Sequence, residues 1–433
     1  MKISPQIVRK KLDKSIEVLL ANSRLFVRDP LRDFTRKRAF TIKSIVEILL
    51  HMGGNSLNKE LLDYFDFSID AASSSAFIQQ RDKLLSEGIG FLLHDFTNSF
   101  EDLKTYNGYR LIAVDGTGCN IPKNSKHPTT YNIKKDMNEV YAVAFYDICN
   151  HIYTDIDIKG IKEKNEQKSS VHMINRSCIN DTVLLLGDRG FSHYNNIANL
   201  EEKGWKYLLR ANDISLKSSK LSPFGLPVDE EFDVDKQVNL CRSQSKKYKA
   251  IENHRFLPKN TRFDFLPVGS KDVYPINFRV VSIKIESGKY AYFITNLSRK
   301  EFDKKAIERL YKERWSIETS FRDLKYTLGL INFHSKKLNS IKQEIYSKLI
   351  MYNFSQFIIQ NIEISTKNTK HQYQINIKKA IYICQKNFRK LLNKHPPEIE
   401  KLIRKFILPK RNNRHYPRKV KTRSRINLMY RIA

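Results

Sequence analysis

The chain has 433 residues, 41% hydrophobic and 11% aromatic, enough for real cores in about two to four domains, so a disordered tail is excluded. Lys plus Arg outnumber Asp plus Glu by 77 to 46, a formal charge of +31, which points to a polyanion, nucleic acid first, and says nothing about fold. No run of about 18 apolar residues offers a membrane span, and the N-terminal MKISPQIVRKKLDKSIEVLL breaks its apolar positions with charges, so no membrane partner and a cytoplasmic, nucleoid-associated location are expected. The five cysteines, Cys119, Cys149, Cys178, Cys241 and Cys384, form no CxxC pair, which suggests neither a zinc ribbon nor a disulfide framework.

Residues 1–105 scan as short helices: SIEVLL, TIKSIVEILLHM stopped by Gly53 and Gly54, LNKELLDYF and AFIQQRDKLL. They suit a small DNA-binding bundle, with Arg36, Lys37 and Arg38 either meeting phosphates or forming a solvated face. Over 106–211 the pattern changes to strands and helices. YRLIAVDG is a strand-length apolar run, VYAVAFYDI and IYTDIDI should pair as an antiparallel hairpin, EQKSSVHMINRSC reads as a helix, and TVLLLGDRGF as a buried strand followed by WKYLLRA. Strands with a crossover helix indicate an α/β layer. Residues 212–297 read as β-rich (KQVNLCRSQ, INFRVVSIKI, YAYFITNL), 298–345 as helical again, and 346–433 as a helical region in which 348–362 is a buried helix. The chain then carries a basic arm, PKRNNRHYPRKVKTRSR, with Lys410, Arg411, Arg414, Arg418 and Lys419 among its phosphate-binding candidates.

The segment YKERWSIETSFRDLK scans as one helix. At 100° per residue Tyr311, Arg314, Glu318 and Lys325 fall within roughly 60° of one another, a stripe that is either a solvated face or a site. Asp115 closes one apolar strand and Asp188 another, and the carboxyl ends of strands in an open α/β sheet are where ligands gather. Singly, an Asp before Gly is usually a turn. Together with Glu318 the two aspartates could form an all-oxygen pocket for two Mg²⁺ ions, about 4 Å apart, of the kind that clamps attacking and leaving oxygens in phosphodiester displacement. Arg314 and Lys325 would then grip phosphate oxygens, with Arg189 beside Asp188 a further phosphate contact, and Tyr311 would hydrogen-bond or stack nearby.

Asp115 in VDGTG, Asp188 in GDRGF, and YKERWSIETSFRDLK with the spacing Y-x2-R-x3-E-x6-K resemble the DDE transposases of bacterial insertion sequences, family four, whose mark is that Y-R-E-K signature. The resemblance implies an RNase H-like catalytic domain carrying Asp115, Asp188 and Glu318 as catalytic residues and metal ligands, interrupted by a β-rich insertion and preceded by the helical DNA-binding domain. It implies two Mg²⁺ ions, with Mn²⁺ able to substitute. It further implies a homodimer on double-stranded DNA that cuts at terminal inverted repeats by hydrolysis and joins the 3′-OH to target DNA, a cut-and-paste transposition. Where known members hold a flipped base with a tryptophan, KYAYFITNL offers only Tyr290 and Tyr292, either of which could stack on a base but which, as strand aromatics, read more often as core; Trp315 reads as a packing residue. A DNA-binding protein that has lost the chemistry, or a metal-dependent nuclease without strand joining, are the alternatives.

Overall fold

The computed structural model describes residues 3–36, 38–216, 219–285, 288–364 and 372–410. They form two compact units, one drawn from Met1–Asp102, Cys119–Glu139 and Phe321–Ala433, the other from Leu103–Gly118 and Val140–Ser320. Lys37, Arg411, Arg414, Arg418 and Lys419 lie outside the described residues.

The first unit opens with helices α1 (Pro5–Ala21), α2 (Ile42–His51), α3 (Leu57–Tyr64), α4 (Ser74–Arg81) and α5 (Ser86–Asn98). A Ser or Thr stands immediately before each of the first four, and the side chains of Ser4, Thr41, Ser56 and Ser73 each accept from a backbone N–H in the first turn. That satisfies donors that helix starts leave without an intrahelical partner.

The second unit holds most of β1 (Arg110–Ile121) and, beyond the two-residue strand β2 (Tyr131–Asn132) of the first unit, the antiparallel hairpin of β3 (Met137–Asp147) and β4 (Ile152–Gly160). His151 takes a positive φ of 49° in its turn. Helix α6 (Glu166–Arg176) crosses to β5 (Val183–Gly187), and α7 (Tyr194–Glu202) to β6 (Lys206–Arg210); β5 runs parallel to both β1 and β6. Every residue of β5 is buried, as its unbroken VLLLG requires of a strand covered on both faces. The β-rich segment supplies β7 (Asp233–Cys241), the single helical turn α8 (Lys246–Lys249), β8 (His254–Phe256), β9 (Val273–Lys284) and β10 (Tyr290–Thr295). These strands extend the same sheet, in the order β3-β1-β5-β6-β10-β9-β7-β8, with β4 paired to β3. Helix α9 (Lys304–Glu313) and the start of α10 (Ser316–Tyr326) complete the unit.

The first unit closes with α11 (Leu338–Ile359), α12 (Ile377–Asn387), α13 (Ile399–Arg404) and the strand pair β11 (Tyr373–Ile375) and β12 (Ile407–Pro409). Helix α11 packs on α1, α2, α5 and α12 and is buried along nearly its whole length, as expected from its sequence. The buried Glu344 is paired: desolvation pushes its carboxyl up, but Arg81 at 3.0 Å and His334 at 3.1 Å outweigh it and hold the pKa at about 2. Among the described residues no helix is long and apolar enough to cross a membrane.

Two sequence expectations are corrected. Residues 311–325 are not one helix, because α9 ends at Glu313 and α10 starts at Ser316. The joint is a tightened turn in which Arg314, Trp315 and Ile317 donate to carbonyls three residues back. Asp115 does not close its strand, since β1 continues to Ile121. What stops near Asp115 is the burial and the pairing with β5, whose last partners are Val114 and Gly187.

Candidate active site

Strands β1 and β5 pair in parallel register from Arg110 opposite Val183 to Val114 opposite Gly187. The next residue on each is an aspartate, Asp115 and Asp188. Parallel neighbours lie about 4.8 Å apart, so the register alone brings two carboxylates side by side at the ends of the pairing. Asp115 Oδ1 accepts from the Gly116 N–H at 2.7 Å, and Asp188 Oδ1 from the Gly190 N–H at 2.8 Å; the second bond caps the short 3₁₀ turn Arg189–Phe191.

Helix α9 is started by Asp303, whose side chain accepts from the Ala306 N–H, and it delivers Tyr311 and Arg314. The tightened turn at Arg314 keeps Glu318 one turn further on the same side. The Arg314 guanidinium reaches Glu318 Oε1 at 3.2 Å and Asp115 Oδ2 at 3.6 Å, and its centre lies 5.5 Å from the Tyr311 ring centroid. Arg314 is 4% exposed and Tyr311 7%. The stripe is therefore not a solvated face. Burial would lower the Arg314 pKa, but Tyr311, Asp115 and Glu318 together raise it. Its buried Nε has no hydrogen-bond partner, an open donor in a site where such groups are ordinarily satisfied.

Burial raises the Asp115 carboxyl most, and Asp188 and Glu318 add to the rise; the Gly116 N–H and Arg314 oppose it, leaving a pKa of about 6. In this arrangement Arg314 bridges two of the acids, and among the described residues no three His, Cys, Asp or Glu side chains stand close enough to hold an ion. The raised Asp115 pKa gives a first prediction. Its contribution favours the fold fully below the unfolded pKa near 3.8 and is lost as pH rises through about 6. Asp115→Asn in chelator should match wild type near pH 4 and be more stable at pH 8 by up to about 3 kcal/mol. Thermal melting against pH measures this, and parallel curves would show that Asp115 carries no such strain.

The structure thus brings together Asp115, Asp188, Glu318, Tyr311 and Arg314. Arg189 follows Asp188 and is exposed; Lys325 stands in the last turn of α10, which belongs to the first unit; Lys410 is exposed at the last described position. Tyr292 is 2% exposed and its ring stacks on Phe232 in the sheet core, where Tyr290 also packs. Side chains alternate across a strand, so the other face of β10 carries Ala291 and Phe293, and these line a cleft of about 390 Å³ with Arg210, Tyr311, Lys312 and Trp315. Trp315, expected to be packed, is 44% exposed there. Sequence reasoning missed Phe293, Arg210 and Lys312; for the two strand residues, Phe293 and Arg210, period-2 alternation was the signal, but it does not say which face is the core.

A family model described as the transposase DDE domain matches residues 106–354, more than half of the chain. The chain belongs to the DDE transposases. The transposase InsG of insertion sequence element IS4 from Escherichia coli K12 is 26% identical to it over 376 residues, 81% of this chain and 76% of that protein, and the two findings put this transposase in the IS4 group. A solved piggyBac transposase synaptic complex with hairpin DNA has a TM-score of 0.44 and 11% identity, over 93% of this chain and 84% of that one, too distant to assign any role. The transposase binds DNA, and its chemistry is phosphodiester hydrolysis and transesterification, which this family carries out with divalent metal ions.

Proposed function

We propose that Asp115, Asp188 and Glu318 are the catalytic carboxylates of an RNase H-like domain and would hold two Mg²⁺ ions, Mn²⁺ substituting, for cut-and-paste transposition. The observation that carries the reading is the register of β1 and β5, whose last pair, Val114 and Gly187, is followed by an aspartate on both sides. The donor set is all oxygen, suited to Mg²⁺ or Mn²⁺. When bound, the ions would supply Lewis-acid stabilisation of charge at phosphorus.

The protein's own side chains do the rest. Arg314, buried and with Nε open, positions a phosphate by parallel N–H bonds. Tyr311 fixes the guanidinium in place, and Lys325, Arg189 and the basic arm from Lys410 through Arg411, Arg414, Arg418 and Lys419 track the DNA backbone. The cleft beside Tyr311 pairs the aromatic walls Phe293 and Trp315 with Arg210 and Lys312, a combination suited to an unstacked base and its phosphate. The helical segment 1–105 contacts DNA, and the protein acts as a homodimer on the terminal inverted repeats, in the cytoplasm.

The test incubates purified protein with a labelled duplex ending in the element's terminal repeat and an unlabelled target. A nick exposing the 3′-OH, followed by a joined product, is expected. Cleavage without joining would make the protein a nuclease, and binding without cleavage an inactive descendant.

A further inference from the structure

Two groups outside the triad sit against its aspartates. Tyr141, on β3, lies over Gly116 so closely that a Cβ on that glycine would strike its hydroxyl and ring. The Tyr141 hydroxyl donates to Glu166 Oε1, at the first position of α6. Lys164 stands 3.1 Å from that same oxygen and 3.9 Å from the Tyr141 ring centroid. One oxygen of Glu166 is thus fixed from two sides. The other, Oε2, is turned to the site: it and Asp188 Oδ1 each lie 3.0 Å from the place a Cβ on Gly190 would take. Glycine at 190 therefore keeps open a small space that both carboxylates border.

We propose that Glu166 is a fourth carboxylate of the site, aimed by Tyr141 at the divalent ion that Asp188 holds. This rests on the metal reading above. A glutamate at a helix start needs no such role, because a negative charge there is favourable in itself, and Lys164 could serve it as an ordinary surface partner. Neither accounts for Oε2 bordering the same small space at Gly190 as Asp188 Oδ1. Two carboxylates brought to one space cost free energy unless a cation joins them there, and a glutamate serving only α6 would gain by turning away. Tyr141 removes that freedom. Its hydroxyl donates to Glu166 Oε1 while its ring is held between Gly116 and Lys164, and so it keeps the carboxylate in this orientation.

The experiment measures Mn²⁺ binding to the full-length protein without DNA, by electron paramagnetic resonance, so that its readout does not depend on catalysis. Glu166→Gln should raise the Mn²⁺ Kd by about 10- to 100-fold, and Tyr141→Phe by about tenfold. Single-turnover cleavage by both should recover as Mn²⁺ is raised. Glu163→Gln, exposed in the preceding turn, should change neither. Tyr141→Phe keeps the ring that packs on Gly116 and tests the proposal should Glu166→Gln fail to fold. Asp188→Asn separates the two levels: wild-type Mn²⁺ affinity in that variant would sink the metal reading itself. Loss of Mn²⁺ in Asp188→Asn alongside a Kd within about twofold of wild type in Glu166→Gln would overturn the role of Glu166 alone.

Discussion

Asp188→Asn lowers single-turnover cleavage of an element end by on the order of 1,000-fold while DNA affinity stays near wild type, because a metal clamp supplies several kcal/mol of stabilisation to the transition state. The substitution is chosen for what it preserves. The Asn side-chain oxygen can still accept from the Gly190 N–H that Asp188 holds at 2.8 Å, so the 3₁₀ turn keeps its cap. Only the negative charge and the strong oxygen donor are lost. Phosphate contacts elsewhere on so basic a protein carry the affinity. Cleavage within about tenfold of wild type would remove Asp188 from the metal site.

Arg314→Lys is expected to cut cleavage and joining by about 100-fold and to leave Mn²⁺ affinity within about threefold of wild type. Lysine keeps the charge beside Asp115 and Glu318, so the carboxylates retain their counter-ion. It cannot reproduce the planar fork, which in the wild type engages Glu318 and Asp115 while its buried Nε remains open to a further acceptor. That acceptor is a phosphate of the DNA strand being cut. A collapse of Mn²⁺ affinity would instead make Arg314 a structural support for the acids, and unaffected cleavage would take it out of the site.

Much of this arrangement is legible in the sequence because it follows from periodicity. Arg314 and Glu318 meet because i and i+4 share a helix face, and the break in the helix goes unsignalled because Arg314 keeps helical dihedrals of −53° and −32° with neither Gly nor Pro at the joint. The buried run before Asp188 could only be a central strand. Gly116 was harder to read. Asp-Gly suggests a turn, but this glycine lies within β1, without a positive φ, and serves the close approach of Tyr141. Glu166 was out of reach, since its meeting with Asp188 depends on the crossover of α6 and on the open space at Gly190. The choice between Tyr292 and Phe293 likewise depends on which face of β10 meets the core.

The central claim, that Asp188 binds a divalent metal for phosphodiester chemistry, is tested most directly by Asp188→Cys assayed for single-turnover cleavage of an end-containing duplex in Mg²⁺ and in Mn²⁺. A thiolate ligates Mn²⁺ better than Mg²⁺, so the account predicts no detectable cleavage in Mg²⁺ and partial recovery in Mn²⁺, with wild type active in both. Cleavage by the cysteine variant that is equal in the two metals, or that survives chelation, would contradict it.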